Sequence, residues 1–240
     1  MSPTFRLQVT SQALRHPGPG RKVKRMTHAF LVAAMVIIRT YNYMPVPADD
    51  IARARATADG TFQQAGISLQ WVDCWVPSAI VDRQSAIVDR LPAEARSAKA
   101  GPSLSSCTEP LREGSDFVLR LVPSASTDVT NHFSSRMVAM GSSLINHDSR
   151  AGALATVDPE LVLTIARGSG VDFASLLGRA IAHEIGHLLL GHSRHSRDGL
   201  MRAIWSQDEI RGIRPANWQF SAAEAAEMRH GLAARAGSAN

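Results

Sequence analysis

Residues 181–201, I-A-H-E-I-G-H-L-L-L-G-H-S-R-H-S-R-D-G-L-M, constrain this chain more than any other stretch. Within them His183, Glu184 and His187 form an H-E-x-x-H motif. Residues four apart on an α-helix lie on one face, about a turn from each other. Two imidazoles so placed can hold one metal ion, and a Glu beside the first can accept a proton from a water that the metal activates. From 180 to 190 every residue outside the motif is apolar or Gly. That composition suits a buried helix whose polar side chains are kept for chemistry. A surface helix with two solvated histidines would not run on into Leu188, Leu189 and Leu190.

A catalytic zinc takes three protein ligands and keeps one position open. Gly191 suits the left-handed residue that ends a helix, and His192 and His195 follow as candidates for the third ligand. His192 comes straight after the turn residue, where the chain has little room to double back, so it ranks second. The segment resembles a group of bacterial metzincin-like zinc proteases that read H-E-I-G-H-L-L-L-G, then H-S, then G-(L/I)-M-R and a Trp. Those residues are here His183 to Gly191, His195-Ser196, Gly199 to Arg202, and Trp205. The general metzincin pattern, H-E-x-x-H-x-x-G-x-x-H, is not met: Leu190 stands where it has Gly and Ser193 where it has the third His.

The resemblance implies one Zn2+ per chain on His183, His187 and His195, with Glu184 as general base and Met201 in a Met-turn-like support beneath the metal. It implies an endopeptidase acting on a peptide or protein substrate. The alternative from another class is a non-catalytic, zinc-stabilised binding protein of the same fold, with His192 closing the coordination as a fourth ligand. His192, Arg194 and Arg197 are candidates for stabilising an oxyanion, because the only tyrosines, Tyr41 and Tyr43, lie far upstream.

The net charge of +5 resembles a nucleic-acid signal until it is located. Six of the 26 Lys and Arg residues (Arg6, Arg15, Arg21, Lys22, Lys24 and Arg25) fall in 1–25, which hold no acid; the other 20 face 21 acidic residues, a net of −1. Nucleic-acid binding therefore has little support. Residues 1–28 read as a disordered basic tail, as an export signal whose apolar core is 29–38, or as an artefact of start choice with Met26 the true start. The apolar run is too short for a stable membrane span, and export is the favoured reading. Residues 29–240 form the domain, and oligomeric state is not legible.

Within the domain, β-branched and aromatic residues mark a strand over 35–43, broken by Pro45 and Pro47. A helix over 48–64 starts with Asp49 and Asp50 in its first turn and stops at Gly66. Strands follow over 67–72, 117–122, 137–145 and 152–157, then a helix over 159–167 and a capping Asp172 before the motif helix. Ser221-Ala-Ala-Glu224 is a capping box that opens a last helix, and Trp205 and Ile213 are expected to cover the core. The opening R-T-Y-N-Y…Q-Q-A-G-I-S-L-Q-W-V-D-C resembles the same protease group. The expected fold is α+β and zincin- or metzincin-like: a mixed, mostly parallel sheet of about five strands with an active-site helix and a C-terminal helix. By that resemblance, strand 152–157 is the sheet edge that would pair with extended substrate.

Cys74 and Cys107 lack the spacing of a zinc or redox pair. They flank a hydrophilic, poorly patterned stretch, and a disulfide between them would tie it down. Such a bond requires an oxidising compartment, which agrees with export. Inside that stretch Ser78-Ala-Ile-Val-Asp-Arg83 recurs as Ser85-Ala-Ile-Val-Asp-Arg90, a duplication best explained as an insertion in a tolerant loop. His132, His147 and His230 are expected to be solvated.

Overall fold

The computed structural model describes residues 34–74, 105–112, 114–123, 139–146, 148–212 and 214–238. The basic tail, the duplicated hexapeptide, His132, His147 and Ile213 lie outside the described residues.

The first strand, β1 (Ala34–Asn42), carries Val36 and Ile38 into full burial. The end of the apolar run over 29–38 is therefore strand, and it lies in the middle of the sheet. Helix α1 (Ala48–Gln64) buries Ala54, Ala58, Thr61 and Phe62 and returns the chain to β2 (Ile67–Cys74), which pairs parallel to β1. Parallel neighbours need a crossover of this kind. After α2 (Ser105–Thr108), β3 (Asp116–Leu121) pairs parallel to the other side of β1. Strands β4 (Gly141–Asn146) and β5 (Ala151–Val157) make an antiparallel hairpin, and β5 joins β3 in parallel. The order is β2-β1-β3-β5-β4, a mixed five-stranded sheet in an α+β fold.

This order corrects one expectation. Strand β5 is interior, and β4 is the edge. The residues show why. Ala155 and Val157 of β5 are fully buried, whereas Ser142, Leu144 and Asn146 of β4 alternate outward and Leu144 is 70% exposed. A hairpin leaves both orders open in the sequence, and the more apolar strand takes the inside.

Helix α3 (Pro159–Ser169) is capped by Asp158, whose carboxylate accepts from the amides of Glu160 and Leu161. Helix α4 (Phe173–Leu190) starts at Asp172, which accepts from the Ser175 amide at 2.7 Å. It packs against α1, β5, β4 and α3, so the residues from 180 to 190 are all buried. A short helix α5 (Gln207–Arg211) follows, and α6 (Ala222–Ser238) covers α4. The expected capping box forms at its start: the Ser221 amide donates to Glu224 at 2.7 Å, and the Glu224 amide donates to Ser221 Oγ at 3.2 Å.

Cys74, at the end of β2, is disulfide-bonded to Cys107. The segment arriving from Cys107 is fastened to β1. Tyr41 donates to the Cys107 carbonyl at 3.2 Å, and buried Arg39 reaches the Glu109 and Pro110 carbonyls and the Asp116 carboxylate. Closing a loop across a separation of 33 residues stabilises the fold by roughly 3–4 kcal/mol in the chain-entropy model. Among the described residues no helix is long and apolar enough to cross a membrane.

Candidate metal centre

Helix α4 places His183 and His187 a turn apart on one face, both buried. Their Nε2 atoms stand 3.1 Å apart. Gly191 ends the helix in the left-handed conformation at φ 67°, where a side chain would meet the Arg150 carbonyl. The chain then doubles back and brings His195 Nε2 to 3.3 Å from His187 Nε2. The three rings are the one group of metal-ligating side chains that converges among the described residues.

Their outer nitrogens reveal their protonation. His183 Nδ1 lies 2.9 Å from the Leu200 carbonyl, and His187 Nδ1 lies 2.9 Å from the His192 carbonyl. A carbonyl can only accept, so each Nδ1 carries the hydrogen and each neutral ring presents a bare Nε2 inward. Two bare nitrogens 3.1 Å apart repel unless a cation lies between them. Burial works against a proton in that role, since it pushes both imidazoles down to about 4. A metal ion fits the donor set. Tetrahedral zinc with bonds of about 2.0–2.1 Å holds its nitrogens roughly 3.3–3.4 Å apart, close to the separations here. Fixing the tautomer through Nδ1 is the usual outer-shell arrangement of a metal-binding His.

Glu184 is also buried, and burial raises its carboxyl to about 7 against the opposing hydrogen bond from Ser143. Ser143, on β4, sets its Oγ 2.6 Å from Glu184 Oε2 and 2.7 Å from the Glu184 carbonyl. Gly141, two residues earlier on the same face, leaves room for Glu184: a Cβ there would come within 2.7 Å of Glu184 Cγ. The edge strand thus packs directly on the acid of the motif.

Met201 is fully buried against Gly186 of α4. Its turn is held by backbone bonds from the Ser196 amide to the Met201 carbonyl (2.8 Å) and from the Leu200 amide to the Gln219 carbonyl (2.9 Å). Ser196 Oγ also donates to Glu224, at the start of α6. Gly186 makes this approach possible, since a Cβ there would stand 2.8 Å from both Met201 Sδ and Phe220 Cε1. Trp205 meets the His183 ring edge-on, with centroids 5.6 Å apart, and donates its indole N–H to the Leu200 carbonyl that also receives His183.

His183, His187 and His195 are therefore gathered at one place, and His192 is not among the clustered rings. Its carbonyl orients His187, while its side chain faces Glu227 on α6, with Nε2 3.9 Å from Oε2. Arg194 and Arg197 are exposed on the same loop. Sequence reasoning missed Ser143, Gly141 and the two orienting carbonyls. Ser and Gly in a short strand carry no local signal, and the carbonyls belong to the backbone.

No family model matches the chain, and no curated protein matches it either. Among solved structures it is similar to archaemetzincin from Methanopyrus kandleri, at 14% identity and a TM-score of 0.41, across 87% of this chain and 99% of that one. A likeness this slight says nothing about chemistry, so function is read from the side chains themselves.

Proposed function

We propose that the chain is a zinc-dependent endopeptidase with a zincin-like domain, in which His183, His187 and His195 hold one Zn2+ and Glu184 is the general base. The observation that carries this reading is the convergence of three imidazoles, two of them buried with bare Nε2 atoms, next to a carboxyl raised to about 7. A bound zinc would supply Lewis acidity, polarising a peptide carbonyl and acidifying a water. Glu184 would take the proton from that water and hand it to the leaving amine. Among the described residues the outer edge of β4 has no strand partner, and it would pair with an extended peptide in the strand-addition mode of recognition.

A zinc-stabilised binding protein would close the coordination with a fourth side chain. His192, the candidate for that role, turns to Glu227 instead, which favours turnover. The disulfide agrees with an oxidising compartment, and we place the protein outside the cytoplasm with residues 1–28 as leader or tail. N-terminal sequencing of protein recovered from its native compartment tests that placement.

The decisive experiment pairs metal analysis with hydrolysis of unfolded casein. Purified protein should hold about one zinc per chain, and chelation should abolish cleavage. Glu184→Ala should keep the metal while turnover falls by orders of magnitude. Full activity in zinc-free protein would overturn the reading, and metal-loaded protein that cleaves nothing in a broad peptide library would favour the binding protein.

A further inference from the structure

We propose that Ser143, on the edge strand β4, is a positioning residue that holds the Glu184 carboxyl in place through its hydroxyl. This rests on the reading of Glu184 as general base. The geometry behind it is independent of any metal.

Ser143 Oγ sits between two acceptors of the same residue, 2.6 Å from Glu184 Oε2 and 2.7 Å from the Glu184 carbonyl. A hydroxyl has one hydrogen and two lone pairs, so it cannot donate to both at once. The hydrogen belongs on the carboxylate, where a charge-assisted bond is the stronger one, and the second contact lodges Oγ against the backbone of the same residue.

Gly141 supplies the second half of the clamp. A Cβ at 141 would come within 2.7 Å of Glu184 Cγ, 2.9 Å of Oε1 and 2.7 Å of the Thr156 carbonyl. The backbone of β4 therefore lies against the acid, and Ser143 holds it from the same face. Gly141, Ser143 and Ile145 share the half-buried face, while Ser142, Leu144 and Asn146 are exposed. One strand thus sets the base while leaving its outer edge free. A Ser at 143 suits this better than a larger donor, since its short side chain spans from strand to helix without pushing them apart.

Two measurements test the proposal. On the zinc-loaded protein, Ser143→Ala should lower kcat by roughly 10- to 100-fold, the cost of one charge-assisted hydrogen bond expressed in the transition state. KM should stay within about twofold and zinc content unchanged, and Ser143→Thr, which keeps the hydroxyl, should recover most of the loss. In a Glu184→Ala background Ser143→Ala should cost nothing further. A kcat within twofold of wild type in Ser143→Ala, or an equal fall with Glu184 already gone, would overturn the positioning role. On the metal-free protein, a thermal-melt cycle over Ser143→Ala and Glu184→Ala should be non-additive, because the two side chains touch. Additive melts would sink the contact itself. Non-additive melts in a protein that cleaves nothing would confirm the clamp while showing that Glu184 is not a working base.

Discussion

Two of the clustered imidazoles, those of His183 and His187, sit on α4 inside the core, whereas the third, His195, stands exposed on the segment after Gly191. The helical pair needs only the i, i+4 geometry and an outer carbonyl for each ring. His195 depends on a left-handed turn, on backbone bonds at Ser196 and Leu200, and on Ser196 reaching Glu224 across to α6. The first half is as rigid as the core, and the second is assembled from a few contacts on the rim. A metal would therefore be held by a pair in the core and a third ring on the rim, and removing it should loosen the halves unequally.

The largest effects test the ligands. His187→Ala and His195→Ala should each lower zinc affinity by more than the 10- to 100-fold typical of losing an outer-shell partner, read by competition with a chromophoric chelator. His192→Ala should retain the metal, since its contribution is a backbone carbonyl. Equal loss in His192→Ala would mean a closed four-ligand site. In metal-free wild type, amide exchange should rise over 192–202 and stay unchanged over 180–190. A uniform rise would erase the distinction between the halves.

Gly186 is one place where the halves touch, besides the bonds from His183 to Leu200 and from His187 to His192. Gly186→Ala should destabilise the metal-free protein by about 1–3 kcal/mol through overpacking, seen in urea titration, because the new methyl meets Met201 and Phe220. Ser196→Ala should act on the rim half alone. Loss of its bond to Glu224 should cost about 1 kcal/mol and weaken zinc binding a few-fold, with α4 exchange untouched.

The smallest effect is the pH response of the metal-free protein. Burial pushes His183 and His187 from 6.5 down to about 4. Between those values the unfolded chain binds protons that the native pair refuses, so stability is lost as pH falls from 6.5 toward 4. Glu184, raised by burial from 4.5 to about 7, opposes this, because its native form keeps a proton that the unfolded form sheds. Metal-free Glu184→Gln should therefore lose melting temperature more steeply on acidification than wild type, by about a few degrees. A shallower slope would reverse the assignment of these environments.

Much of this was legible in the chain because it is local. The spacing of His183 and His187, the apolar flanks and Gly191 dictate a buried helix and its end. Asp172 and the Ser221–Glu224 box cap their helices as their positions predict. Helix α1 spans the residues expected of it, since Pro47 and Gly66 bracket it. The strands were readable too, although β4 starts later than its apolar pattern suggested.

By itself, then, the sequence determined the main strands and helices and the helical half of the site, because each follows from short-range periodicity or turn chemistry. Tertiary structure alone decided which hairpin strand became the edge and which serine met Glu184. Those outcomes depend on residues far apart in the chain, such as Ser143 against Glu184 and Ser196 against Glu224. Their encounter is fixed by how α4 packs between the β4–β5 hairpin and α6, and no local pattern records that packing.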